Sequence, residues 1–215
     1  MKNDTAYIRE LAGLAPIIPV LVVDDVAHAI PLAEALVRGG LPVLEVTLRT
    51  KAALEVITAM TSVEGQIGFQ PFTDADLVTA QDVTAAVAAG STFGVTPGSP
   101  TFLIDACLEA GLPLLPGAAT ATEAMTLQAR GFEVLKFFPA EGAGGIKTLK
   151  GLGGPLPGIS FCPTGGVTPE NALDYLALPN VVCAGGSWIA PSSLVKAGKW
   201  NEIEERARHA SALSR

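Results

Sequence analysis

Short apolar runs alternate along the whole chain with stretches of helical period. Ile17–Val23, Val43–Leu48, Gln66–Phe72, Thr92–Thr96, Pro113–Pro116, Val134–Phe138, Ile159–Pro163 and Val181–Ala184 are predicted strands. Between them lie amphipathic segments. In VAHAIPLAEALVRGG, for example, Val26, Ile30, Ala33 and Val37 return on one face. Gly39-Gly40, Gly90, Gly111 and Gly131 close several of these segments, where a helix end commonly takes up a left-handed residue. The segment NEIEERARHASALS predicts an outer, solvent-facing helix over about 200–214.

Eight strand–helix units in 215 residues leave about 27 residues per unit, close to the minimum for such a unit. That repeat predicts an α/β fold closed into a single-domain (β/α)8 TIM barrel, with its core over about 16–190. An open doubly wound sheet is the alternative, because periodicity alone does not show closure. No linker, low-complexity tract or charge run marks a second domain.

Composition narrows the class. Hydrophobic residues make up 49% of the chain and charged residues 16%, which excludes a disordered chain and predicts elements covered on more than one side. A net charge of −7 provides no electrostatic footprint for nucleic acid or an anionic membrane. The longest apolar runs, such as APIIPVLVV, fall far short of the roughly 20 residues that span a bilayer. Three cysteines form no disulfide framework, and the start MKNDTAY does not resemble a signal peptide; together they predict a reducing, cytoplasmic setting. Cys107, Cys162 and Cys183 read as small apolar fillers. With His28 and His209 both on predicted helices, a multi-histidine metal site is not expected.

In a barrel, chemistry belongs at the C-terminal ends of the strands, so polar residues inside apolar strands stand out. Lys136 lies within VLKFFPAE. Burial there would disfavour its ammonium form and prepare a Schiff-base nucleophile. The alternative is a strand-edge lysine whose amine reaches solvent. In VLEVTLRT, alternation places Glu45, Thr47 and Arg49 on one face and Leu44, Val46 and Leu48 on the other. A structural Glu45–Arg49 ion pair would explain that pattern. An acid/base and a carboxylate-binding cation placed opposite Lys136 would explain it equally. PTGGVTPEN and CAGGSW are Gly-rich strand ends where the backbone approaches an anion closely, or they are simply turns. Pro97-Gly98 and Pro116-Gly117 mark further turns into the mouth.

The strings LEVTLRT, LLPGAAT, KFFPAE, FCPTGG and GGSW, in that order and spacing, closely resemble the bacterial 2-keto-3-deoxy-6-phosphogluconate and 4-hydroxy-2-oxoglutarate aldolases from about Pro16 to Trp188. The resemblance implies a class I aldolase of the Entner–Doudoroff pathway on a (β/α)8 barrel, cytoplasmic and homotrimeric, with no metal or organic cofactor. It implies that Lys136 forms the Schiff base, Glu45 is the acid/base and Arg49 binds the pyruvate carboxylate. Phosphate contacts fall on Thr164, Gly165 and Gly166 and on Gly185, Gly186 and Ser187. Pro97 and Phe138 line the pyruvate pocket. The partners so implied are a phosphorylated keto acid and pyruvate.

One region departs from the family pattern. Where the third strand usually ends in Gly-Ala-Gly-Thr-Val, the chain reads IGFQPFTDADLVTAQ, about three residues longer. Thr73 is the candidate replacement for the carboxylate-binding threonine. Asp74 and Asp76 add negative charge beside an anion site unless they point to solvent. Competing expectations are a paralogue acting on the galactonate-derived epimer, a sugar-phosphate epimerase or isomerase, and a catalytically weakened barrel serving as an oligomeric scaffold.

Overall fold

The computed structural model describes residues 4–62 and 72–214, with only the backbone considered for residues 72–75. The chain opens with α1 (Thr5–Gly13) and then alternates between strands and helices. β1 (Ile17–Leu21) leads through a short 3-10 turn to α2 (Ala29–Arg38), β2 (Val43–Val46) to α3 (Ala53–Ser62), and β3 (Phe72–Asp76) to α4 (Ala80–Ala88). β4 (Phe93–Val95) is followed by α5 (Thr101–Ala110), and the pair β5 (Leu114–Leu115) and β6 (Gly117–Ala118) by α6 (Ala121–Ala129). β7 (Val134–Phe137), α7 (Gly145–Gly153), β8 (Ser160–Pro163), α8 (Ala172–Leu176), β9 (Ala184–Gly186), α9 (Ser192–Lys196) and α10 (Trp200–Ser211) complete the order.

Every strand pairing is parallel, as expected where a helix carries the chain back between neighbouring strands. One sheet has the order β5-β4-β3-β2-β1-β9 and the other β6-β7-β8. β5 and β6 are separated only by Pro116, which has no N–H for a ladder, so the two sheets part there. At the opposite flank, isolated bridges Phe161↔Val181 and Thr164↔Gly185 join β8 to the segment that becomes β9.

Alternation along the strands sorts the core into two clusters. Leu44, Val46, Leu135 and Phe137 belong to the larger one, under the helices. Ile18, Val43, Phe93, Val95, Leu115, Val134, Cys162 and Cys183 come from both sheets and form a smaller cluster, closed by Ile8, Leu11 and Ala12 of α1. Residues two further along from Val43 and Val134 are therefore enclosed between the sheets, and these are Glu45 and Lys136. Capping boxes Thr79/Asp82 and Thr120/Glu123 start α4 and α6.

Two local expectations are corrected. The third strand is Phe72–Asp76, not Gln66–Phe72, and residues 66–71 of that prediction lie outside the described residues. Its ladder runs from Val43↔Phe72 to Val46↔Ala75, because backbone pairing does not require the apolar letters that periodicity seeks. The last strand begins at Ala184, where the ladder with Ile17 starts, while Val181 makes only an isolated bridge. The Gly39-Gly40 ending of α2 is as expected, with the positive φ of +90° at Gly40. Among the described residues, no helix is long and apolar enough to cross a membrane.

Candidate active site

β2 and β7 aim their enclosed polar residues at one another. The Lys136 Nζ donates a hydrogen bond of 2.6 Å to Glu45 Oε1, and the two side chains are 3% and 4% exposed. Lys136 is thus not a strand-edge lysine reaching solvent. Removing either partner would leave a buried charge uncompensated, so the pair stands or falls together. Nζ also lies 5.4 Å from the centroid of the Phe138 ring, whose face attracts a cation.

Glu45 does not pair with Arg49, which corrects the structural alternative for VLEVTLRT. Arg49 instead extends to Asp76, with Nη2 3.5 Å from Oδ2, and its side chain is 61% exposed. Thr47 is buried and spends its hydroxyl on the Leu21 carbonyl at 3.0 Å.

A cavity of about 140 Å³ opens above the pair. Glu45, Arg49, Lys136 and Phe138 form one side. Thr164 to Val167, Gly185 and Ser187 form the other, and Val20 and Val22 complete the wall. Larger hollows lie between α3 and α4 and beside Trp188 and α10, away from the lysine.

The glycine turns are built by close approach. A Cβ on Gly185 would meet Thr164 Oγ1 at 2.2 Å. Gly165 and Gly166 have φ of +97° and +83°, a region that favours glycine. Glu141 supports this turn: its N–H donates to the Gly165 carbonyl at 3.0 Å, and its carboxylate accepts the Tyr175 hydroxyl. Burial, and next the Glu141 carboxylate, push the Tyr175 hydroxyl far above the usual phenol range, so it stays a donor. The parallel bridge Thr164↔Gly185 ties the Gly165 end of this turn to β9. Among the described residues, the Gly166 amide donates to no carbonyl or side chain and remains available to an anion.

Two expected residues stand apart from the cavity. Pro97 is half-buried and packs its carbonyl against Gly117, where a Cβ would come within 2.4 Å. Gly186 lies beneath the Trp188 indole, 2.1 Å from any Cβ added there. Thr73 stands opposite Leu44 in the β2–β3 ladder, and its side chain lies outside the described residues, as does that of Asp74. Asp76 does not point to solvent. It is buried beside Arg49.

His28 packs near Trp200, with ring centroids 5.6 Å apart, and His209 is exposed on α10; neither reaches the lysine cavity. The three cysteines are buried and unlinked, and burial pushes the Cys107 thiol up to about 11. Sequence reasoning missed Val20, Val22 and the Glu141–Tyr175 prop. No local signal marks the prop, because Glu141 lies in the turn after β7 and Tyr175 on α8.

Parallel strands that hold a buried lysine–carboxylate pair under a cavity, with an arginine and glycine turns at its rim, define an α/β enzyme of the Schiff-base lyase class. Residues 8–206 match the aldolase family described as KDPG and KHG aldolase, and the chain belongs to that family. It is similar to the 2-dehydro-3-deoxy-phosphogluconate aldolase of Pseudoalteromonas atlantica, 46% identical over 98% of this chain and 97% of that protein. Among solved structures it resembles the Legionella pneumophila KDPG aldolase with pyruvate captured as a covalent carbinolamine. That match has a TM-score of 0.89 and 39% identity over 95% of this chain and 98% of that one. The Zymomonas mobilis aldolase with 3-phosphoglycerate also gives 0.89, with 42% identity and 98% of each chain covered.

Proposed function

We propose that the protein is a class I aldolase that cleaves 2-keto-3-deoxy-6-phosphogluconate to pyruvate and glyceraldehyde 3-phosphate. By the same steps it cleaves 4-hydroxy-2-oxoglutarate to pyruvate and glyoxylate. The observation that carries this reading is the 2.6 Å contact between Lys136 and Glu45 at the base of the rimmed cavity.

Glu45 takes a proton from the Lys136 ammonium, and the freed Nζ lone pair attacks the C2 carbonyl to form a carbinolamine. Glu45 returns the proton to the departing hydroxyl, water leaves and a protonated imine remains. That imine accepts the electron pair of the C3–C4 bond while Glu45 removes the C4 hydroxyl proton, which releases the aldehyde. The enamine is then protonated at C3, and water hydrolyses the imine to pyruvate and free Lys136. Arg49 binds the keto-acid carboxylate and Phe138 covers the reacting carbons. Thr164, Gly165, Gly166, Gly185 and Ser187 receive the phosphate, with Gly186 shaping its loop from beneath.

Residues 1–215 form one domain in which the two sheets close into an eight-stranded barrel, with β5 and β6 as a single strand interrupted at Pro116. The bridges from β8 to the β9 segment support that closure. The barrel assembles as a cytoplasmic homotrimer, which native mass measurement tests directly.

Pyruvate with borohydride, followed by peptide mass spectrometry, tests the chemistry. One reduced pyruvate on Lys136 is expected, with Lys136→Ala giving neither adduct nor cleavage. No adduct on folded protein, or an adduct elsewhere, would refute the assignment.

A further inference from the structure

Asp76 ends β3 and is 8% exposed. In the β3–β4 ladder it stands opposite Val95, a member of the cluster enclosed between the sheets. Its Oδ2 lies 3.5 Å from Arg49, while Oδ1 is buried and finds no partner among the described residues. A guanidinium–carboxylate pair that serves as a strut satisfies both oxygens at about 2.8 Å. This pair makes one long contact, and solvent reaches its exposed guanidinium. It is a poor strut. The orphan oxygen also has a cost, so the carboxylate is not an indifferent filler.

We propose that Asp76 sets the affinity for the keto-acid carboxylate: it occupies Arg49 in the free protein and must yield the guanidinium when substrate binds. The inference rests on Arg49 as the carboxylate partner. An arriving carboxylate meets a cation already partly neutralised and is pressed against a second negative charge, so binding weakens. The substrate carboxylate is held in the ground state and in the transition state alike. The effect therefore falls on KM and on release of pyruvate, with kcat for cleavage little changed.

The test measures the pyruvate concentration that half-saturates borohydride modification of Lys136. It compares the wild type, Asp76→Asn, Asp76→Thr, Arg49→Gln and Arg49→Gln with Asp76→Asn, each shown to be folded by thermal unfolding. Removing the charge lowers half-saturation roughly tenfold when Arg49 is present. In the Arg49→Gln background the same change has a much smaller effect, since only the direct repulsion between the two carboxylates is left to remove. If one Asp76 variant fails to fold, the other decides. Half-saturation that is unchanged or raised, or that falls equally without Arg49, overturns the proposal. Absence of any adduct in the wild type overturns the Lys136 assignment and this inference with it, whereas an adduct indifferent to Asp76 overturns the inference alone.

Discussion

The two walls of the lysine cavity are built on different principles. On the β8–β9 side, position is set by volume. Gly185 lies against the Thr164 hydroxyl and Gly166 against the Glu141 side chain, where added Cβ atoms would come within 2.2 and 2.6 Å. The Glu141–Tyr175 contact holds the turn from behind. On the β2–β3 side, position is set by charge, with Glu45 on Lys136 and Arg49 on Asp76. A packed wall responds to added atoms, while a charged wall responds to altered charge at constant shape. Lys136 belongs to both, because β7 is laddered to β8 while its amine reaches across to β2.

This contrast can be broken most forcefully from the charged side. Glu45→Gln keeps the shape and removes the proton acceptor, so kcat for cleavage should fall by roughly 10²–10⁴-fold. Steady-state assays would show that loss, and near-normal turnover would remove Glu45 from the mechanism. On the packed side, Gly185→Ala should cost about 1–3 kcal/mol of stability in denaturant unfolding through overpacking. It should also raise KM for the phosphorylated substrate more than half-saturation by pyruvate. Equal effects on both ligands would show that the turn does not receive the phosphate.

A smaller effect lies away from both walls. The Ala119 amide holds the Glu123 carboxyl below the usual carboxylate range; burial opposes this and Thr120 contacts add to it. A carboxyl with a depressed folded pKa stabilises the fold above its unfolded pKa, and that contribution is lost as pH falls through the folded value. Glu123→Gln keeps an oxygen acceptor for the capping box and removes only the charge of an exposed side chain, so it should cost at most about 0.5 kcal/mol at neutral pH and progressively less on acidification. Thermal unfolding across pH measures this, and a penalty that grows in acid would contradict it.

Much of the frame was legible because parallel strands covered on both faces read as apolar runs. β1, β2, β4 and β7 fall inside their predicted segments. Lys136 and Glu45 were legible for the same reason, as charges that interrupt such runs. The third strand was not legible. Its letters FTDAD carry no apolar run, and only the ladder to Val43–Val46 identifies it. Pro97 and Gly186 were implied by the family resemblance but stand back from the cavity, since a resemblance records sequence order and not which atoms face a space.

The sequence by itself determined the alternation of strands and helices and the two charged residues placed within strands, because both are local patterns of burial. Only the tertiary structure decided partners. Glu45 meets Lys136 across 91 positions of chain, and Arg49 meets Asp76 across 27, where the sequence equally allowed Glu45 to meet Arg49. Electrostatic attraction acts through space, and the register of β2 against β3 together with the opposition of β2 and β7 sets which charges come within reach.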